Sequence, residues 1–171
     1  MPAVLSRRSL LRAGGLGVSV ALLAACTSGS SDQPPPSPPT PDESARSAAA
    51  RLEVALADRA RRTAQRHPTL TEAVVAAAAH TAHADALSET LPAAAVLTPS
   101  PTSSTARPAP SISASKKAAA AELAIAEEAA GLAHLTVLAA PGVTGDLARL
   151  LASVAASDES FGAAVRTQGA T

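Results

Sequence analysis

Alanine-rich runs, broken at intervals by proline, leave this chain little to fold into except close-packed helices. Alanine fills 45 of the 171 positions and is the best helix former of all residues. The one aromatic residue is Phe161, with no Trp or Tyr, and β-branched residues are sparse, which disfavours a sheet. The expected fold class is therefore all-α. The same residues exclude several functions. With 14 basic groups matched by 14 acidic ones and no aromatic platform, nucleic acid is not an expected partner. A single cysteine excludes an internal disulfide and a cysteine-based zinc site.

The first 25 residues read as an address. Ser6-Arg7-Arg8-Ser9-Leu10-Leu11 matches the twin-arginine export pattern, with Arg7 and Arg8 as the signal pair and Arg12 adding a third charge. Residues 13–25 are mildly apolar and too few for a spanning helix, which needs about 20 residues. Leu23-Ala24-Ala25-Cys26 resembles the bacterial lipobox, in which the cysteine is lipidated and becomes the mature N-terminus. Residues 1–25 are thus expected to be a signal peptide. Residues 26–40 are expected to be a lipidated cysteine followed by a tether rich in Pro and Ser. The expected location is the extracytoplasmic face of the cell membrane, held there by the lipid anchor. Removing the signal takes away Arg7, Arg8 and Arg12 and leaves 11 basic against 14 acidic groups, so the mature chain is mildly acidic.

Residues 41–167 carry the signals of a four-helix domain. Thr40-Pro41-Asp42-Glu43 has a capping residue, a proline at the first helical position and a Glu that completes a capping box. Helix 1 is expected over 41–66, ending at His67-Pro68, with His67 in solvent. Thr69-Leu70-Thr71-Glu72 reads as a second capping box and opens helix 2 over 69–91. A proline-rich loop follows over 92–113. Helix 3 is expected over 114–140, opened by Ser113 or Ser115. Helix 4 is expected over 144–167, opened by Thr144. The short links within each helix pair predict two antiparallel hairpins. The linking loop of about 22 residues can reach across helices roughly 35 Å long. The expected topology is the ferritin-like one, two hairpins joined by a long crossover. An up-down bundle with a loose loop is the alternative.

At 100° per residue, each helix points an ionisable group inward. Helix 2 carries His80 and His83 in a stripe with Ala73, Ala76, Leu87 and Leu91. Helix 3 carries Glu127 and His134 with Leu123, Ala130 and Leu138. Helix 4 carries Asp158 with Leu147, Leu151, Val154, Phe161 and Val165. On helix 1, Glu53 lies at the flank of the apolar side formed by Ala45, Ala49, Leu52, Leu56 and Ala60. Buried charges need partners or a metal. Glu53, His80, His83, Glu127, His134 and Asp158 therefore form either a hydrogen-bonded polar layer or a metal site, unless some of them are exposed. No glycine-rich phosphate loop lies outside the signal, and no nucleophile elbow is present. Glu127-Glu128 and Asp158-Glu159 lack the aromatic platform that a sugar site would need.

His80-Thr81-Ala82-His83-Ala84, the segment from Glu127 to His134, and residues 147–157 resemble the ferritin-like domain of actinobacterial lipoproteins. The preference for Arg over Lys and for Ala suits that source. The resemblance covers about residues 42–167. It implies a ferritin-like four-helix bundle and brings no activity with it. Ferritin-like di-iron centres take a Glu from each of two helices and Glu-x-x-His from each of the other two. Here Glu53 and Glu127 fit, but helix 2 offers His80-x-x-His83 and helix 4 offers Asp158-x-x-Phe161. A mononuclear site on His80, His83, Glu127 and His134 is the form in which a metal would remain. The expected function is a non-catalytic structural or binding role for an anchored lipoprotein, acting on a protein partner and needing no cofactor. The alternative is a metal-handling or oxidase bundle holding a divalent ion (Fe, Mn or Zn).

Overall fold

The computed structural model describes residues 37–91 and 110–171. The twin-arginine stretch, Cys26, most of the tether and residues 92–109 of the loop lie outside the described residues. Four helices make up the domain: α1 (Pro41–Arg66), α2 (Thr71–Ser88), α3 (Lys116–Leu138) and α4 (Gly145–Ala170). They pack as an all-α four-helix bundle, with no strand among the described residues. None of these helices is long and apolar enough to cross a membrane.

Local signals set most helix starts. Thr40 Oγ1 accepts from the Glu43 N–H at 3.2 Å, and Glu43 Oε2 accepts from the Thr40 N–H at 2.7 Å, closing the capping box of α1. Ser115, not Ser113, caps α3 by accepting from Ala118 N–H. Thr144 caps α4 by accepting from Leu147 N–H.

The start of α2 departs from the expected box. The helix begins at Thr71, Leu70 occupies the capping position, and no side chain caps it. Leu70 is fully buried, and that burial fixes the chain here more strongly than a local hydrogen bond does. Gln168, near the end of α4, supplies the missing partner. Its Oε1 accepts from Glu72 N–H at 3.1 Å, and its Nε2 donates to Thr71 Oγ1 at 2.7 Å.

Other ends shift too. α2 stops at Ser88, and Leu91 folds back in a turn, its N–H donating to Ser88 O. α3 runs over 116–138 rather than 114–140. Its C-terminal turn leads to Gly142 at φ 86°, a left-handed conformation that glycine adopts without strain. α4 continues to Ala170, and buried Gly169 lies against Ala120 with no space for a Cβ. His67, expected in solvent, is half-buried. Its Nε2 donates to Ser113 O at 2.8 Å.

Contacts between helix ends fix the directions. Arg62 and Arg66, at the end of α1, donate to the carbonyls of Pro110 and Ser113, just before α3. Glu72, at the start of α2, meets Gln168, at the end of α4. Asp42 Oδ1, at the start of α1, accepts from Thr144 N–H, at the start of α4. So α1 and α4 run one way, and α2 and α3 run the other. α2 finishes at one end of the bundle and α3 begins at the opposite end, which leaves the connection the bundle's length to cover. α1 packs chiefly on α2 and less on α3, and α4 packs chiefly on α3 and less on α2. This is two antiparallel hairpins with one long crossover.

The core has three storeys. One apolar cluster gathers Ala60, Leu70, Ala73, Ala76, Ala120, Leu123 and Val165. The other gathers Ala49, Ala50, Leu87, Leu147 and Leu151. On every helix the buried ionisable residues fall between the two.

Candidate metal centre

The six inward residues picked out by helical periodicity do converge. Glu53 from α1, His80 from α2, Glu127 and His134 from α3 and Asp158 from α4 are all at most 1% exposed. His83, one turn beyond His80, is partly buried with 22% of its side chain exposed. Glu53 stands at the middle of its helix's buried face and not at the flank. α1 is covered by both α2 and α3, and its buried set of Ala49, Ala50, Glu53, Leu56, Ala57, Ala60 and Thr63 has Glu53 near the middle of the face. Leu52 is correspondingly half-exposed in the groove between α1 and α3.

Glu53 is the hub. Its Oε2 lies 2.9 Å from His80 Nδ1 and 3.1 Å from His83 Nδ1, and its Oε1 lies 2.8 Å from His134 Nε2. Burial alone would push this carboxyl up. The hydrogen bonds from His134, His80 and His83 outweigh burial and hold it well below the usual carboxylate range. For His80, burial pulls the imidazolium pKa down. The carboxylates of Glu127 and Glu53, one beside each ring nitrogen, push it up further, to about 9. Asp158 is pushed up to about 7, by burial first and then by the charge of Glu53, against the pull of His134 and His80.

Several atoms of the layer are left without a partner. His80 Nε2 and Glu127 Oε2 are 2.9 Å apart but not lined up, so neither makes a hydrogen bond. Glu127 Oε1 and both oxygens of Asp158 are also buried without one. The nearest imidazole nitrogens stand 3.8 Å (His80 Nδ1) and 3.6 Å (His134 Nε2) from Asp158, too far to donate. Each orphaned buried polar group costs about 1–3 kcal/mol, and a buried carboxylate is the worst case.

Glu53, His80, His83 and Asp158 each offer one ligand atom, and these four atoms lie within 4.8 Å of one another. Four donors set tetrahedrally at about 2.1 Å from an ion are about 3.4 Å apart, so an ion would be seated by opening the Glu53–histidine contacts of 2.9 and 3.1 Å and drawing Asp158 in from 3.8 Å. Two imidazoles and two carboxylates suit divalent Zn, Fe or Mn. This set differs from the expected mononuclear one: Glu53 and Asp158 replace Glu127 and His134. Phe161 lies edge-on against His80 with ring centroids 5.7 Å apart.

The acidic neighbours that doubled two of these residues in the sequence face outward. Glu128 is exposed and pairs with Arg166, and Glu159 is exposed. Comparison with protein families, with curated proteins and with solved structures finds no match to the chain.

Proposed function

We propose that the chain is a lipid-anchored extracytoplasmic lipoprotein whose ferritin-like bundle holds a divalent transition-metal ion in its interior layer. One observation carries this reading. The two oxygens of Asp158 are fully buried and unpartnered within a group of four mutually close ligand atoms from three helices. A dication supplies what those oxygens lack. It also turns Asp158 from a carboxyl that resists ionisation into a ligand that requires it. The anchor reading rests on Arg7-Arg8 and on Leu23-Ala24-Ala25-Cys26. Export by the twin-arginine route after folding is compatible with loading the ion inside the cell.

A second reading keeps the layer free of metal and gives the bundle a non-catalytic binding role with a protein partner. It is favoured by Glu53, which alone satisfies one nitrogen on each of three histidines. Elemental analysis of the full chain, purified without chelator, separates the two. The metal reading expects a stoichiometric ion that is lost in Asp158→Ala and His80→Ala. A metal-free chain whose melting temperature ignores added Fe, Mn or Zn overturns it. The anchor is tested apart from the metal: Cys26→Ser should move the protein from the membrane fraction to the soluble one.

A further inference from the structure

Resting on the metal reading, we infer that the centre is mononuclear, that its ligands come from α1, α2 and α4 alone, and that α3 contributes only outer partners, Glu127 to His80 and His134 to Glu53. In this assignment the ion is held by Glu53, His80 Nδ1, His83 Nδ1 and Asp158.

Which nitrogen of His80 faces the ion follows from its neighbours. Nδ1 shares Glu53 Oε2 with His83 Nδ1, at 2.9 Å and 3.1 Å, and is the nitrogen paired with Asp158 Oδ1 at 3.8 Å. Nε2 points away from that group and has Glu127 Oε2 at 2.9 Å. A neutral imidazole bound through Nδ1 must carry its proton on Nε2. Glu127 is then the acceptor within reach, once the ring is turned by the ion and no longer by Glu53. That is the carboxylate–histidine–metal relay in which an outer carboxylate fixes the tautomer and strengthens the ligand.

His134 plays the matching part for Glu53. Its Nε2 donates to Oε1 at 2.8 Å, which leaves Oε2, the oxygen facing His80 and His83, to the ion. Neither Glu127 nor His134 belongs to the group of four mutually close ligand atoms.

Charge and sterics agree with a single ion. The carboxylates of Glu53 and Asp158 cancel a dication, so the inner set is neutral and tolerable in a dry core. A second ion would need Glu127 with further donors around it, and Phe161, the α4 side chain placed against the His80 ring, offers none. Glu127 is also confined at its root. Its Cβ lies 3.4 Å from where a Cβ on Gly162 would stand, so α4 approaches it with backbone and brings no ligand. His83 is the one ligand partly open to solvent, which makes its side of the bundle the route by which the ion enters.

The test is a Co²⁺ titration of the chelator-stripped full chain, followed by the visible absorption that reports the ion's inner coordination, with circular dichroism as the fold control. The wild type should saturate at one equivalent. Glu127→Gln and His134→Gln should also saturate at one equivalent with the same absorption band, but with affinity lowered about 10- to 100-fold. Glu53→Gln and Asp158→Asn should lose the band or move it. His134→Gln, which keeps a donor, should bind more tightly than His134→Leu. Two equivalents in the wild type, or a band moved by Glu127→Gln as much as by Asp158→Asn, overturns this assignment and leaves the metal reading standing. No binding of Co²⁺, Zn²⁺, Mn²⁺ or Fe²⁺ by the wild type overturns both.

Discussion

The two ends of the bundle are closed by leucine, valine and alanine, while its middle carries three carboxylates and three imidazoles. The same four helices and the same alanine background build both. The ends are held by apolar burial, which has no direction and tolerates exchange among residues of similar volume. The middle is held by a few directed bonds around Glu53, with five atoms at Asp158, Glu127 and His80 left over. A layer of that kind in a thin alanine core is kept at a cost in stability. Removing one member should therefore cost more than the contact it loses, because the partners it leaves are charged and buried.

The largest expected effect follows from this. In chelator-treated protein, Glu53→Leu should destabilise the fold by about 3–5 kcal/mol, the usual consequence of breaking a buried ionic group by removing one partner. It strips His80, His83 and His134 of a shared acceptor. Leu151→Ala, in the apolar end, should cost about 2–5 kcal/mol through lost burial and a cavity. Urea unfolding with and without Zn²⁺ sharpens the contrast. At a free Zn²⁺ concentration 100 times the Kd, Leu151→Ala should keep the full metal-induced gain of about 2.7 kcal/mol, and Glu53→Leu should show none. If Glu53→Leu is neutral without metal, the middle is not the directed network described above.

The middle should also respond to pH where the ends cannot. Asp158, raised from 3.8 to about 7, stays protonated in the fold over a range in which the unfolded chain has ionised it. Stability therefore falls as pH rises from about 4 to about 7. His80, raised from 6.5 to about 9, contributes stability that is complete below 6.5 and is lost as pH rises to about 9. Glu53, held low, has the opposite sign, and its contribution is lost as pH falls below 4.5. The metal-free chain should thus be most stable at mildly acid pH and lose on the order of 1 kcal/mol per pH unit above it. Saturating Zn²⁺ should flatten or reverse that slope, because binding the ion releases the same protons. A metal-free unfolding curve that does not move between pH 5 and 9 breaks the comparison.

How far the sequence could be read follows from the same contrast. Helical periodicity found every member of the middle layer, because each lies at a core position of its own helix. The Thr40 capping box and the Thr144 cap were legible since both are local, and the loop lengths pointed to the crossover. What escaped depends on residues far apart in the chain. The Thr69–Glu72 box is overridden by the burial of Leu70 and by Gln168, 96 positions from Glu72. The periodicity of helix 1 puts Glu53 at a flank because the face that α1 buries is decided by two neighbours, and periodicity within one helix reports only one apolar direction. All six candidate ligands are legible in the sequence, but narrowing them to a mononuclear set on helices 2 and 3 selects by side-chain type, which marks only a possible donor. Only interhelical distance tells Asp158, inside the group of ligand atoms, from Glu127, which reaches just the far nitrogen of His80.

The smallest expected effect compares two glycines on α4, one beside the middle layer and one at an end. Gly145 opens the helix with nothing within 4 Å of where a Cβ would stand. Gly145→Ala should stabilise by about 0.4–1 kcal/mol by restricting the unfolded chain. A Cβ at Gly162 would meet the Ala124 carbonyl oxygen at 3.3 Å and Glu127 Cβ at 3.4 Å. In an open helix interior the same exchange would gain roughly 1 kcal/mol in helix propensity. Here the neighbours are backbone and the root of a buried layer residue, neither of which can yield easily, and overpacking costs about 1–3 kcal/mol. Gly162→Ala should therefore be neutral to destabilising by up to about 2 kcal/mol. Because it presses on Glu127, it should also weaken Co²⁺ binding without changing the absorption band. Equal stabilisation by both substitutions would mean that α3 and α4 are free to move apart at the layer, and that the middle is packed no more tightly than the ends.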